Sequence, residues 1–405
     1  MLSANNKQDS SFETKAIHVA NDPEQWKSKA VVPLISLATV FKHTAPGHHA
    51  GFEYSRGGNP TRQCMESTLA SLEQGKYGIA FASGIGAVLS VCQLMNTGDH
   101  LVTQKDLYFG SIHLFQEHLP TKCGIEVTFL DLTNEDRTEL KASLRPKTKM
   151  IWIETPTNPI LKIIDIKTVA EIAHEHNPDI IVVVDNTFAS PYFQNPLQLG
   201  ADVVVHSLSK YVSGHSDVIM GAAITNSDKL HKEIRELQND NGVVPSPFDC
   251  YLVSRSLRTL ALRMAKHESN ALAVAKHLLN HPLVSWVSYP GLPNHPQHDL
   301  ASRQMYGFSG IVAAKLKHGS DEKVLETFLK NFKIFTHATS LGGVESLVSS
   351  PGLMIKFSSV PEKEERLRLG IDDEVIRFSV GIESVDDLIQ DIDAALQATL
   401  EVLEQ

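Results

Sequence analysis

One lysine follows a run of valines in the stretch VVVHSLSKYVSGHSD, residues 203–217. The run leads into a polar patch that places Lys210 close to Ser207 and Ser209. Removing a lysine ammonium from water at the end of a buried strand is costly, so this position indicates a function. A lysine amine in such a place can form a Schiff base with an aldehyde.

A carboxylate stands in the equivalent place one strand earlier, where Asp185 follows IIVVV. Pyridoxal phosphate needs both groups, because its aldehyde requires an amine and its ring nitrogen requires an acid that keeps it protonated. Ser207 and Ser209 are hydroxyl donors suited to its phosphate. Taken alone, Asp185 is equally typical of a turn or helix cap, and Lys210 of a solvated loop. Their occurrence together favours the cofactor site.

A glycine turn in the stretch FASGIGA offers a second phosphate-binding element. Ser83, Gly84 and Ile85 begin a predicted helix, whose free N–H groups and positive dipole attract phosphate. An ordinary glycine turn is the alternative. A nicotinamide-dependent oxidoreductase is disfavoured, since it needs GxGxxG with an acid about twenty residues later. A catalytically inactive scaffold is also disfavoured, because it would lack Lys210 or Asp185.

The elements around these residues predict an α/β fold. Short strands rich in β-branched residues (HLVTQ, IEVTFLD, KMIWIETP, DIIVVVDN and ADVVVHS) alternate with helical segments such as DIKTVAEIAHEH. This alternation is typical of a mostly parallel sheet, which binds ligands at the carboxyl ends of its strands. We expect an N-terminal arm over residues 1–57, a large domain over 58–258 and a smaller C-terminal α+β domain over 259–405.

Composition narrows the possible partners. The chain has 405 residues, a formal charge of -10 and no basic run, which disfavours nucleic acid as a partner. No apolar run is long enough for a membrane span, and four scattered cysteines without CxxC spacing suit the cytoplasm. The pairs His48–His49 and His295–His298 lie in loops without converging carboxylates, so we expect no metal site.

Longer motifs identify a family. The stretches FEYSRGGNPTR, WIETPTNP, VVDNTFASPYFQNPLQLGAD, SKYVSGHSDVIMG, YPGLPNHPQH and SLGGVESL stand in one order along the chain. They resemble the Cys/Met-metabolism family of pyridoxal-phosphate-dependent enzymes, and the resemblance extends from about Thr14 to the C-terminal helix. It implies the fold of the aspartate aminotransferase-like transferases, known as fold type I.

The resemblance also implies a role for each candidate residue. Lys210 would carry the cofactor and move protons between substrate carbons, and Asp185 would pair with the ring nitrogen. Tyr108 would stack on the ring and help to deprotonate the incoming amine. The phosphate would be bound by Ser83, Gly84, Ile85, Ser207 and Ser209, and by Tyr54 and Arg56 of a neighbouring subunit. The substrate would be bound by Asn158, Ser340 and Arg377, with Tyr54, Thr339 and His113 also close to it.

The implied activity is an α,γ-elimination that converts cystathionine to cysteine, 2-oxobutyrate and ammonia. Related reactions on cystathionine, methionine or an activated homoserine remain open, as does release of hydrogen sulfide from cysteine. The implied assembly is a homotetramer, a dimer of dimers in which the arm completes the neighbour's active site.

Several residues depart from the family pattern near the expected substrate. Phe109 stands where the family has a glycine, and His113 stands where it has an arginine. Thr339 replaces a glutamate, and Ile355 and Lys356 replace Thr-His. We expect weaker recognition of the distal amino-acid end of cystathionine, because histidine is a shorter and only partly charged donor.

Overall fold

A central sheet of seven strands dominates the computed structural model, which describes residues 10–133, 137–358, 364, 367 and 372–403. Its strands lie in the order β3-β9-β8-β7-β6-β4-β5. They are β3 (Tyr77–Phe81), β4 (His100–Gln104), β5 (Glu126–Leu130), β6 (Thr148–Glu154), β7 (Ile181–Asp185), β8 (Val203–Ser207) and β9 (Gly221–Thr225).

Six of these strands run in one direction. Strands β4 to β8 pair in parallel, whereas β9 is antiparallel to both β8 and β3. Two antiparallel pairings in succession bring β3 back to the direction of β8. The predicted mostly parallel sheet is confirmed, and β9, whose sequence GAAIT has little β-branched character, is a strand that the sequence pattern did not indicate.

Helices cover both faces of this sheet, and its strands are largely buried, as expected for parallel strands, except for the edge strand β5, which is partly exposed. The helices up to β9 are α2 (Pro60–Leu72), α3 (Gly84–Cys92), α4 (Phe109–His113), α5 (Thr138–Ser143), α6 (Ile166–His176) and α7 (Ser190–Phe193). A π-helix, Leu114–Cys123, continues from α4, and α8 (Asp228–Asn241) and α9 (Pro247–Leu257) follow β9.

A second sheet of five strands forms the C-terminal part, in the order β10-β11-β14-β13-β12. Its strands are β10 (Val284–Ser288), β11 (Ile311–Leu316), β12 (Thr336–His337), β13 (Leu347–Ser349) and β14 (Ile376–Ser379). The accompanying helices are α10 (Leu260–Asn280), α11 (His298–Gln304), α12 (Glu322–Lys330), α13 (Pro351–Ser358) and α14 (Val385–Leu403). The apolar stripe of α14 buries Leu388, Ile392 and Leu396, but Leu403, at the helix end, is exposed.

The N-terminal segment is only partly irregular. It contains α1 (Phe12–His18), a 3₁₀ turn over Pro23–Gln25 and the short strands β1 (His43–Ala45) and β2 (His48–His49). Beyond α1 it leaves large apolar side chains exposed, among them Val31, Leu37 and Val40. Across the described ranges, no helix has the length and apolar character that crossing a membrane requires.

Candidate active site

The carboxyl ends of β3, β6, β7 and β8 meet along one edge of the central sheet. This follows from their shared direction, and it places Ser83, Glu154, Asp185 and Ser207 at or just beyond these strand ends. Glu154 and Asp185 are direct register partners. Gly84 approaches the end of β8 so closely that a Cβ on it would lie 3.1 Å from the Cβ of Ser207.

The glycine turn has the geometry of a helix start. Ser83 is the N-cap of α3, and its hydroxyl accepts a hydrogen bond of 3.0 Å from the N–H of Gly86. Gly221, the first residue of β9, packs against this turn, because a Cβ at Gly221 would lie 2.3 Å from the carbonyl oxygen of Ser83. The absence of a side chain at Gly221 therefore lets the turn rest on the sheet.

Thr187 joins two of the predicted site residues. Its hydroxyl accepts the N–H of Ser207 at 2.8 Å, and its own N–H donates to Oδ1 of Asp185 at 3.0 Å. Ser209 lies on the other side, where its hydroxyl accepts the N–H of Met220 at 3.0 Å. Sequence reasoning did not single out Thr187, although its place two residues after Asp185 is typical of a hydrogen-bonded turn.

Lys210 lies at the junction of the two sheets. Its Nζ donates a hydrogen bond of 2.7 Å to the hydroxyl of Ser340, which belongs to the loop between β12 and β13. Burial, followed by the positive charge of Arg377, lowers the pKa of Lys210 to about 8. Lys210 is partly buried and its Nζ is hydrogen-bonded, which favours a functional lysine over a solvated loop lysine.

Arg377 reaches the same place from β14 in the second sheet. It donates from one terminal nitrogen to Oδ1 of Asn158 at 3.1 Å and from the other to the carbonyl oxygen of Ser340 at 2.7 Å. The residue is only 8% exposed, and its Nε has no hydrogen-bond partner among the described residues. Burial lowers the pKa of Arg377 to about 10, so it remains a cation at pH 7.

Two carboxyl groups lie side by side on the β6 and β7 ends. Burial raises the pKa of Asp185, and burial together with the charge of Asp185 raises the pKa of Glu154 well above its ordinary value. The pair therefore favours a proton on Glu154. Glu154 belongs to the quoted motif WIETPTNP, but sequence reasoning assigned it no role. The signal that could have found it is an acid that ends the apolar run MIWI.

Tyr108 stands at the rim of the site. It is the N-cap residue of α4 and is 51% exposed, and its N–H donates to Oε2 of Glu154 at 2.8 Å. His113, the last residue of α4, and Thr339 are both exposed, whereas Phe109 is partly buried. Tyr108 thus lies near the other predicted groups, with its ring open to a ligand.

Tyr54 and Arg56 lie on a separate part of the surface. The Arg56 guanidinium carbon is 5.2 Å from the centre of the Tyr54 ring, and its Nε donates to Oδ1 of Asn239 in α8 at 3.2 Å. Both residues are exposed. Unlike Asn158, Ser340 and Arg377, they make no described hydrogen bond to the other predicted site residues.

Comparison with known proteins agrees with this architecture. The chain superimposes with a TM-score of 0.91 on the crystal structure of metB from Corynebacterium glutamicum, at 40% identity over 97% of this chain and 99% of that one. It matches equally well, with a TM-score of 0.91 and 39% identity over 96% and 100%, the structure of cystathionine gamma-lyase from Lactobacillus plantarum complexed with L-serine. The fold is therefore that of the fold type I pyridoxal-phosphate enzymes.

Sequence similarity defines the family. Residues 13–397 match the model of the Cys/Met metabolism PLP-dependent enzymes. The chain is also 52% identical to cystathionine gamma-lyase of Sus scrofa, over 96% of this chain and 94% of that protein. The chain belongs to the Cys/Met-metabolism family of pyridoxal-phosphate-dependent enzymes.

The residues present fit the family's cofactor. An amine with a lowered pKa suits an aldehyde, and a buried carboxyl whose pKa is raised gains from a cationic ring N–H partner. The start of α3 directs backbone N–H groups towards the space beside Ser207, as a phosphate requires. The polar groups of the site thus suit the aldehyde, the ring nitrogen and the phosphate of pyridoxal phosphate.

Proposed function

We propose that this protein catalyses the α,γ-elimination of L-cystathionine, in which cystathionine and water give cysteine, 2-oxobutyrate and ammonia. The observation that carries the proposal is the meeting of Lys210, Ser340 and Arg377, which sets a proton-transferring amine beside a carboxylate-binding fork. The curated relatives named cystathionine gamma-lyase, at 46% to 52% identity over 95–96% of this chain, support the choice of reaction.

The cofactor would be held as the family resemblance implies. When bound, pyridoxal phosphate supplies an electron sink that stabilises negative charge on the substrate α-carbon. Asp185 would hold the ring nitrogen, Lys210 the aldehyde carbon, and Tyr108 one face of the ring. The phosphate would be bound by Ser83, Gly84, Ile85, Ser207 and Ser209.

Lys210 would act as the proton carrier. A lysine with a pKa of about 8 is roughly one-tenth neutral at pH 7, whereas an ordinary lysine is almost entirely charged. Neutral Nζ would take the proton from the α-carbon, pass it to the bound cofactor and, neutral again, take a proton from the β-carbon. Loss of the β-proton allows the γ-sulfur to leave as the thiolate of cysteine. The hydroxyl of Ser340, 2.7 Å away, holds Nζ at the meeting point of the sheets.

Arg377 would orient the substrate. Its two terminal nitrogens form a fork that suits a carboxylate, and Asn158 and Ser340 hold the fork in place. Because Arg377 is buried, the α-carboxylate would bind on the inner side of the site and the distal amino-acid group would point outwards. Thr339 and His113, both exposed, and the neighbour's Tyr54 would be nearest to that distal group.

We propose that the protein is a homotetramer composed of two dimers and that it acts in the cytoplasm. The arm over residues 1–57 would carry Tyr54 and Arg56 to the phosphate of the neighbouring subunit, while residues 58–258 and 259–405 form the large and small domains. The exposed apolar side chains of the arm support this assembly, since Val31 is 75% exposed and Leu37 and Val40 are 68% exposed.

Product analysis tests the reaction. Protein supplied with pyridoxal phosphate and cystathionine should release cysteine, 2-oxobutyrate and ammonia in equal amounts, and Lys210→Ala protein should release none. Homocysteine and pyruvate would instead show cleavage at the β-carbon and contradict the proposal. Turnover of methionine or of an activated homoserine, without turnover of cystathionine, would also contradict it.

A further inference from the structure

Glu154 is a buried carboxyl group that touches two parts of the site. It is the last residue of β6 and only 4% exposed. Its Oε2 accepts the N–H of Tyr108 at 2.8 Å. Tyr108 begins α4 after strand β4, whereas Glu154 ends β6 and leads directly into the loop that contains Asn158. One carboxyl group therefore ties the Tyr108 main chain to the start of the Asn158 loop.

The position of this carboxyl group is itself fixed. The N–H of Glu154 donates to Oε1 of Gln104 at 2.9 Å, and Nε2 of Gln104 donates to the carbonyl oxygen of Glu154 at 2.8 Å. This closed pair joins the ends of β4 and β6 below the side chain. The N–H of Tyr108 thus has an acceptor that is anchored to the sheet.

The surroundings of Glu154 are acidic. Asp185 is its register partner on β7, and Asp106 acts on it from the β4 loop. Asp106 has a cationic partner in Lys162, 2.5 Å away. Burial and the charge of Asp185, with a smaller contribution from Asp106, raise the pKa of Glu154 well above its ordinary value. A neutral carboxylic acid still offers a carbonyl oxygen to an N–H donor, so hydrogen bonding does not need its charge.

We infer that Glu154 is a positioning residue that fixes the Tyr108 main chain relative to the end of β6 and the Asn158 loop that follows it, and so couples cofactor binding to substrate binding. The inference rests on the proposed function, in which the Tyr108 ring contacts the cofactor and Asn158 helps to orient the substrate carboxylate. Loss of this acceptor frees the Tyr108 loop from the end of β6. Each buried N–H left without a partner costs about 1–3 kcal/mol, which corresponds to roughly a fivefold to hundredfold change in an equilibrium constant.

The test compares variants at this position. Glu154→Ala should raise both the Kd for pyridoxal phosphate, titrated into cofactor-free protein, and the KM for cystathionine, each by roughly fivefold to a hundredfold. Glu154→Gln is neutral and keeps an oxygen acceptor, so it should restore both values to within a few-fold of wild type. Glu154→Asp shortens the side chain by one methylene and so moves the carboxyl group away from the N–H of Tyr108. It should behave like Glu154→Ala, and it replaces that variant in the test if the alanine variant does not fold.

Asp202→Ala is the matched control. Asp202 accepts the N–H of Val182 at 2.8 Å at the opposite edge of the same sheet, so its removal should lower stability and leave the Kd and KM unchanged. If Glu154→Ala, or Glu154→Asp in its place, lowers stability but leaves the Kd and KM unchanged, as expected for the control, the positioning role is refuted. If Glu154→Gln is as damaging as Glu154→Ala, the charge rather than the acceptor matters, and the inference is also refuted.

The cofactor titration separates this inference from the proposed function. It needs no turnover, so wild-type protein that binds pyridoxal phosphate without cleaving cystathionine would defeat the proposed reaction. In that case the effect of Glu154→Ala on the cofactor Kd would still decide whether Glu154 positions the Tyr108 loop.

Discussion

Some residues of the site could be predicted from their residue types, whereas others could not. Lys210 and Asp185 were predicted because an amine and an acid after valine-rich strands are chemically unusual, and the structure places both at one sheet edge. Thr187 and Glu154 were not assigned roles, since their importance lies in hydrogen bonds to main-chain groups of other loops. Such contacts depend on which loops are neighbours, which a residue type alone does not reveal.

His113 is where we expect substrate recognition to differ from the family pattern. Changing His113→Arg would supply a longer, permanently charged donor at the exposed end of α4. One charge-assisted hydrogen bond is worth about 1.5–3 kcal/mol, so the KM for cystathionine should fall by roughly tenfold to a hundredfold. The KM for cysteine, which has no distal amino-acid group, should barely change. Steady-state kinetics on both substrates measure this difference, and equal effects on the two would show that His113 does not face the distal group.

At the scale of elements, Gly221 controls how α3 sits on the sheet. The change Gly221→Ala places a methyl group 2.3 Å from the carbonyl oxygen of Ser83, so the phosphate-binding turn must move. We expect the Kd for pyridoxal phosphate to rise at least tenfold, as measured by titration of cofactor-free protein. The same substitution at Gly319, in the turn that follows β11, is the control and should leave this Kd unchanged. An unaltered Kd in Gly221→Ala would mean that the turn does not bind the phosphate.

A histidine joins α10 to the end of β14 and makes stability depend on pH. His267 is fully buried and hydrogen-bonds through Nδ1 to the carbonyl oxygen of Val380 at 2.7 Å. Burial lowers its pKa to about 4, whereas the unfolded chain has the ordinary value of about 6.5. The unfolded state therefore binds more protons between these values, and stability is lost as the pH falls through this window.

The change His267→Gln should flatten that dependence. Wild-type protein should lose about 2 kcal/mol more unfolding free energy than the variant between pH 7 and pH 5. The variant should be less stable at pH 7, because it leaves a poorly filled site in the core. Urea unfolding at both pH values measures the two differences, with His318→Gln, at an exposed histidine, as the control. Parallel losses in the variant and wild type would assign the acid sensitivity to other groups.

The elements show what a sequence can and cannot predict. Strands β4 to β8 were predicted because continuous β-branched runs indicate buried parallel strands, and α14 was predicted from its apolar stripe. Strand β9 was missed, since GAAIT forms a strand through pairing with β3 and β8 rather than through propensity. The approach of Arg377 to Lys210 joins residues of two different sheets, and only tertiary packing could reveal it.

At the scale of the whole molecule, the arm implies that active sites are shared. Arg56→Ala protein and Lys210→Ala protein should each be nearly inactive. Mixed oligomers of the two should regain up to about a quarter of wild-type activity, because random pairing leaves one intact site in half of the dimers. The two variants would be unfolded, mixed and refolded together, and activity assays of the refolded mixture would measure this. Mixed oligomers that form without regaining activity would contradict the sharing of Arg56 between subunits.

The most direct test of the account is chemical labelling of the amine that binds the cofactor. Borohydride treatment of the protein with bound pyridoxal phosphate makes the bond between the cofactor aldehyde and a lysine permanent, and peptide mapping then locates it. We predict one labelled peptide, carrying the cofactor on Lys210 within the stretch SKYVSGHSD. A label on any other lysine, or no label on protein that has bound the cofactor, would contradict the claim that this edge of the central sheet is the active site.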